Sequence, residues 1–417
     1  MTPSLLSKKA ETYVRRLCLD IPNRRVGSTG NRAATNWFAG MVASSGFETE
    51  SPGFDCIDWT HTDAMLCVNG QAFEALVSPY SLGCHVHARL AVVSTLAELE
   101  AAKVAGQVLL VRGELAKEQL MPKNFDFYNP DEHKRIIRLL ETRNPQAIVA
   151  ATSRDPEMAG AVYPFPLIED GDFDVPSVYM TEEEGHRLAE QVGTEVALDI
   201  RASRTPARGC NVIARKGANP RRRVVLFAHI DAKEGTPGAI DNATGVATLL
   251  LLAELLADYA GSSSIEIVAL NGEDHYSAAG EKLWVSSNTA RFEEIILGIN
   301  LDGAGYYEGK TAYSLYDCPP ELAGSIRGVL ARHAEMVEGE SWYQSDHSLF
   351  LQHQRPALAI TSERFSELWT HVAHTPRDRP DIVDPTKLVR IATALRDVLL
   401  RVQERPAPKW ASASGIA

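Results

Sequence analysis

The sequence predicts an α/β protein: a three-layer, mostly parallel (mixed) sheet flanked by helices, with a smaller β-rich domain inserted into it. Three observations carry that expectation. From Gly209 onward, continuously apolar runs alternate with helical stretches, the pattern of a parallel sheet covered on both faces. Between about Asn69 and Arg208 the texture shifts to short β-type runs, with no dense cluster of metal-binding side chains. The length of 417 residues, at roughly 150 per domain, suits about two to three domains.

Taken in order, residues 5–17 carry apolar side chains at helical spacing. Residues 32–44 follow a Gly27-Ser28-Thr29-Gly30-Asn31 turn able to cap a helix, and residues 46–50 alternate like the start of a strand. Residues 1–68 are therefore assigned to the larger domain. Within the insertion, residues 69–208, strands are expected at 90–93, 107–111, 147–150 and 175–180. Helices are expected there at 132–140 and 183–192, and a loop over 158–174. In residues 209–405 the expected strands are 211–214, 223–228, 264–270, 295–301, 311–315 and 356–360. Helices are expected at 243–257, 277–286, 320–334 and 385–403. Residues 406–417 are small and polar enough for a loose tail.

Composition narrows the function. The chain is 45% hydrophobic and 23% charged, which excludes wholesale disorder and a membrane-embedded body. A net charge of −12 repels phosphate backbones, so no nucleic-acid partner is expected. The most apolar stretch, 245–257, contains Glu254 and falls short of a span of roughly 20 residues, so no membrane partner is expected either. The first ten residues lack a basic start followed by roughly 7–15 apolar residues. The six cysteines show no paired spacing. The expected compartment is the cytoplasm, with the cysteines as reduced packing residues.

Chemistry collects where strands end. In open α/β sheets, functional groups gather beyond the carboxyl ends of the strands. Here one apolar run leads into His229-Ile230-Asp231, another into Asn271-Gly272-Glu273-Asp274, and a third into Asp302. Asp241 precedes a helix, and a further run leads toward His371 and His374. These side chains suit two divalent metals. Asp241 bridges them, His229 and Asp302 complete one, and Asp274 and His374 complete the other, with a water between. Nitrogen and oxygen ligands at roughly 2.0–2.2 Å fit zinc. Two dications against three carboxylates leave one positive charge, favouring hydroxide over water. Glu273, left over beside a ligand, is placed to accept that water's proton. Asp231, two residues beyond His229, is placed to orient its imidazole.

The segments His229-Ile230-Asp231, Gly238-Ala239-Ile240-Asp241-Asn242-Ala243-Thr244-Gly245, Asn271-Gly272-Glu273-Asp274, Asn300-Leu301-Asp302, Ser345-Asp346-His347 and His374-Thr375 resemble the zinc aminopeptidases of the bacterial leucyl aminopeptidase and aminopeptidase Y type. Asp241 follows His229 by twelve residues, as in that pattern, and Arg25-Val26-Gly27-Ser28 with Gly30-Asn31 is similar to the family's N-terminal segment. The resemblance implies a phosphorylase/hydrolase-like zinc peptidase core, an inserted protease-associated domain, and a peptide substrate. It also implies His229, Asp241, Asp274, Asp302 and His374 as ligands of two metal ions, most simply zinc with manganese or cobalt as alternatives, and Glu273 as base. His374 is preferred to His371 because Thr375 and Asp378 complete the family-like ending.

Two positions depart from the pattern. The family usually has glutamate where Asp274 stands, and the shorter side chain leaves open a displaced or weakly held second metal, or one other than zinc. Some relatives carry a tyrosine just before the last histidine; here it is Ala373, and Tyr306, Tyr307 and Tyr343 remain open as substitutes. Each acid also has a plainer use. Asp241 suits a helix cap, Asp302 before Gly303 a turn, and Asp346 a cap or an orienting partner. His275 and His347 read as supporting residues. It is their joint placement that favours a co-catalytic exopeptidase, most simply an aminopeptidase. The same scaffold also serves carboxypeptidases, N-acyl amide hydrolases, one-zinc glutaminyl cyclases and receptor-like homologues that lack the ligands. Oligomeric state is not legible in the sequence.

Overall fold

The apolar runs beyond Gly209 form the middle of a sheet, as their composition requires. The computed structural model describes residues 2–21, 23–154 and 162–403. It divides into two compact units, one of Met1–Cys56 with Arg208–Ala417 and one of Ile57–Ala207. In the first, eight strands lie in the spatial order Glu48–Glu50, Val212–Lys216, Ser264–Leu270, Arg223–His229, Ile295–Leu301, Ala357–Ser362, Thr311–Tyr316 and Met336–Glu338. The four central strands run parallel, and antiparallel pairing begins on either side of them. The sheet is mixed with a parallel centre, as expected.

Alternation along the central strand builds two cores. Val224, Leu226 and Ala228 face the helix Thr244–Leu255, which is buried nearly all round. Helix Pro385–Gln403 lies on it, with helices Pro3–Arg15 and Pro320–Leu330 alongside. On the other face, the Phe227 ring stacks on Phe350 at 4.7 Å between centroids and meets Trp284 edge-on at 4.8 Å. Gly298 is required there, because a Cβ would sit 2.3 Å from the Phe350 ring. Layers of helix, sheet and helix result. Helix Thr29–Ser44 starts at Ser28, whose Oγ accepts the Asn31 amide at 3.0 Å, the cap anticipated from the turn.

The second unit holds an eight-stranded sheet in the order Gln71–Phe73, Gly53–Val68, Glu195–Cys210, Cys84–Val93, Val108–Val111, Ala147–Thr152, Ser177–Thr181 and Leu76–Val77. Helices Leu96–Ala101, Asp131–Thr142 and Glu182–Ala189 accompany it. The loop expected over 158–174 lies partly outside the described residues, and its described part forms neither helix nor strand. The tail expected at 406–417 lies outside them altogether. All six cysteines are free thiols. Among the described residues, no helix is long and apolar enough to cross a membrane.

One ion pair inside the first unit is fully buried. The Arg223 guanidinium donates to Glu266 at 2.9 Å, both side chains are 1% exposed, and Arg215 reaches the other Glu266 oxygen at 2.7 Å. Removing one partner of such a pair strands a buried charge, at a cost of about 3–5 kcal/mol. Urea denaturation of Glu266→Ala is therefore expected to show a loss of that size. A loss below about 1 kcal/mol would mean that water or a neighbour compensates Arg223.

Candidate metal centre

Because the central strands are parallel, their carboxyl ends reach one edge together. His229 ends its strand, Asp302 follows Ile295–Leu301, and Asp274 lies in the turn after Ser264–Leu270. Asp241 sits in the tight turn Ala239–Ala243 ahead of helix Thr244–Leu255, with a backbone of φ −118° and ψ 84°. His374 lies beyond helix Phe365–His371.

These five side chains converge. His229 Nε2 is 3.0 Å from Asp241 Oδ1 and 3.7 Å from Asp302 Oδ1. His374 Nε2 is 3.0 Å from the other oxygen, Asp241 Oδ2, and 2.9 Å from Asp274 Oδ1. Asp241 thus turns one carboxylate oxygen to each histidine. Ligand atoms of His229, Asp241 and Asp274 all lie within 4.8 Å of one another. The donor set fits divalent cations on a further observation. His229 Nε2, Asp241 Oδ2, Asp274 Oδ2, Asp302 Oδ1 and His374 Nε2 are buried, and despite these short separations none makes a hydrogen bond of proper geometry. Buried nitrogen and carboxylate oxygen with unspent lone pairs are the ligands zinc takes.

Electrostatics point the same way. Burial disfavours a charged imidazole, yet Asp231, Asp241 and Asp302 outweigh it and hold His229 well above the usual histidine pKa. His374 behaves alike, raised against its burial by Asp274 and Asp241. Asp241 is held far below the usual carboxylate range, because the two histidines overcome the cost of its burial. The cluster demands positive charge. Glu273 is pushed well above its ordinary value, first by burial and then by Asp274, Asp302 and Asp346, with His229 opposing.

Asp231 does more than its position beside His229 suggests. One oxygen accepts the Gly272 amide at 2.8 Å and lies 3.7 Å from His229 Nδ1, while the other accepts the Asp274 amide at 3.1 Å. It joins the His229 strand to the loop of Glu273 and Asp274. Asn242 makes a similar tie, donating to the Leu301 carbonyl at 2.7 Å just ahead of Asp302. Asp302 Oδ2 accepts the Ser345 hydroxyl at 2.6 Å.

The remaining expectations divide. His371 lies on the exposed end of its helix, so His374 is the histidine at the cluster. His347 is buried with Nε2 2.7 Å from the Trp342 carbonyl, and His275 pairs with the Ser277 hydroxyl at 2.9 Å. Asp346 precedes helix His347–Gln352 without capping it through its side chain. Burial, with Asp302, Asp231 and Asp274 adding to it against His229, pushes its carboxyl up to about 8. Of the three tyrosines left open, Tyr306 is buried against Tyr307, while Tyr307 and Tyr343 are exposed. An aromatic run beside His374 is a feature that sequence reasoning missed. Trp369 lies 5.6 Å from the His374 ring, Phe365 stacks on Trp369 at 5.2 Å, and Trp342 meets Phe365 at 4.7 Å. Spacing of i and i+4 in helix Phe365–His371 was the only available signal.

Residues 211–399 match Peptidase family M28. The family resemblance read from the motifs is thus the one matched. Among curated relatives, a "Probable leucine aminopeptidase 2" of Aspergillus fumigatus is 26% identical over 292 residues, 67% of this chain and 54% of that protein. A "Probable lipoprotein aminopeptidase LpqL" of Mycobacterium tuberculosis is 25% identical over 318 residues, 73% of this chain and 59% of its own. The chain therefore spans little more than half the length of these relatives. Among solved structures, an aminopeptidase from Aneurinibacillus superposes with a TM-score of 0.72 at 21% identity, covering 94% of this chain and 93% of its own. A zinc aminopeptidase from Bacillus subtilis gives 0.72 at 17% identity, with 97% of both chains covered. At such identities the two structures share this chain's fold.

Outer partners of metal ligands are typically worth about 10–100-fold in metal affinity. Asp231→Ala is expected to weaken zinc binding by that factor in a chelator-competition titration. Unchanged affinity would show that the Gly272–Asp274 loop holds its place without Asp231.

Proposed function

We propose that this chain is a metal-dependent exopeptidase, an aminopeptidase that removes N-terminal residues from peptides. His229 and Asp302 hold one divalent cation, Asp274 and His374 a second, and Asp241 is shared between them. Zinc is the first candidate, with manganese and cobalt as alternatives. The observation that carries this reading is Asp241 with one oxygen 3.0 Å from each of two histidines, each histidine facing a second carboxylate. The match to Peptidase family M28 and the names of the relatives, leucine aminopeptidase and zinc aminopeptidase, support it.

Bound there, the cations would supply Lewis acidity to polarise the scissile carbonyl and acidify a water. The protein's own residues do the rest. Glu273, whose surroundings favour a proton at its carboxyl, takes the water's proton and returns it to the departing amine. Asp231 and Asn242 keep the ligand-bearing segments in register. Half-buried Phe365 and Trp369 offer an apolar surface to the side chain next to the cleaved bond. In this reading the Ile57–Ala207 unit is the protease-associated-like insertion between the two parts of the catalytic domain.

Elemental analysis with a panel of aminoacyl chromogenic substrates tests the proposal. Two zinc equivalents per chain are expected, with cleavage lost on chelation and restored by zinc, manganese or cobalt. One tightly held metal with cyclisation of N-terminal glutamine would instead support a glutaminyl cyclase. Protein without metal, inert on all substrates, would support the receptor-like alternative. Glu273→Gln is expected to lower kcat by about 10²–10⁴ with metal content intact. Activity within threefold of wild type would remove Glu273 from the proton transfer.

A further inference from the structure

The turn that carries Asp241 is gripped by residues that supply no ligand atom to the cluster. Asp378 is buried and collects three successive amides. One carboxylate oxygen accepts Ile240 N–H at 2.6 Å and the other accepts Asp241 N–H at 3.0 Å. Its own carbonyl accepts Ala239 N–H at 3.2 Å. From another direction the buried Arg24 guanidinium donates to Gly238 O at 2.8 Å, Pro237 O at 2.9 Å, Leu17 O at 2.8 Å and Ile230 O at 3.0 Å. Ile230 directly follows His229, so Arg24 ties the His229 strand to the Asp241 turn. Gly238, at φ +59°, fits only as glycine, since a Cβ would lie 2.7 Å from Arg24 Nη2 and 2.8 Å from the Ala232 methyl.

Asp378 also belongs to the loop of His374. Its amide bonds to the Thr375 carbonyl at 3.1 Å, and the Thr375 hydroxyl donates to Val372 O at 2.6 Å. One short loop therefore sets His374 Nε2 3.0 Å from Asp241 Oδ2 and anchors the backbone of the same aspartate. A carboxylate on two amides is a charge-assisted clamp, stronger than neutral bonds of the same number.

We propose that Asp378 is a positioning residue: by holding the amides of Ile240 and Asp241 it fixes the Asp241 carboxylate between His229 and His374 and thereby sets the cation affinity of the centre. The inference rests on the metal-binding reading given above. It predicts that Asp378→Asn, which keeps the shape but puts an NH₂ against an amide N–H, disturbs the centre without emptying the core.

The test uses the full chain, stripped of metal and titrated with zinc against a chromophoric chelator, together with the visible spectrum of the cobalt-loaded protein. Asp378→Asn and Asp378→Ala are compared with Leu395→Ala, a core variant in helix Pro385–Gln403 that makes none of the hydrogen bonds given above to the turn. Expected are zinc affinities 10–100-fold weaker for the Asp378 variants, a shifted cobalt spectrum, and wild-type affinity in Leu395→Ala. If Asp378→Ala does not fold, Asp378→Asn decides. Zinc affinity within threefold of wild type and an unchanged cobalt spectrum in Asp378→Asn would overturn the proposal. So would an equal loss of affinity in Leu395→Ala, which would make the effect one of stability. A wild-type chain that binds none of zinc, manganese and cobalt would overturn the metal-binding reading, and this inference with it.

Discussion

One carboxylate serving two imidazoles is the constraint on which the rest of the first unit depends. Asp241 must hold each oxygen about 3 Å from a different histidine, in a place where Asp274 and Asp302 add two more carboxylates. Buried carboxylates so close together are costly without positive charge among them. The fold meets that demand geometrically. Parallel strands deliver His229, the Glu273 loop and Asp302 to one edge, and the turn before helix Thr244–Leu255 brings Asp241 into their midst. Bonds from Arg24, Asp231, Asn242 and Asp378 then fasten the segments that carry these side chains to one another.

Much of this was legible in the sequence, for a definite reason. An apolar strand that stops abruptly at His229 or Asp302 marks both the end of the strand and the residue that matters. Strands Ser264–Leu270 and Ile295–Leu301 and helix Pro385–Gln403 have the very bounds read from their patterns. Other elements were hidden. Strand Gly53–Val68 exposes Thr60, His61, Thr62 and Asp63 in succession, so it lacks the alternation that announces a strand. Helices His347–Gln352 and Phe365–His371 are six and seven residues long, too short for a helical period to emerge.

The supporting bonds were hidden for a different reason. Arg24 and Asp378 bind backbone carbonyls and amides, which every residue possesses, so no complementary side chain in the sequence betrays them. Nearness to His229 marks Asp231 in the sequence, but its bonds to Gly272 and Asp274 depend on how two strand ends are juxtaposed. The aromatic run from Trp342 through Phe365 to Trp369 likewise joins segments that only the folded chain brings together. Ligand-type side chains can be read from a sequence; what aims them at one point is largely backbone.

The most direct test of the shared carboxylate is anomalous diffraction above the zinc edge from crystals of the zinc-loaded protein. Two peaks about 3.5–4 Å apart are expected, astride the Asp241 carboxylate, with His229 beside one and His374 beside the other. A single peak, or peaks that leave Asp241 without a bond to both, would contradict the account.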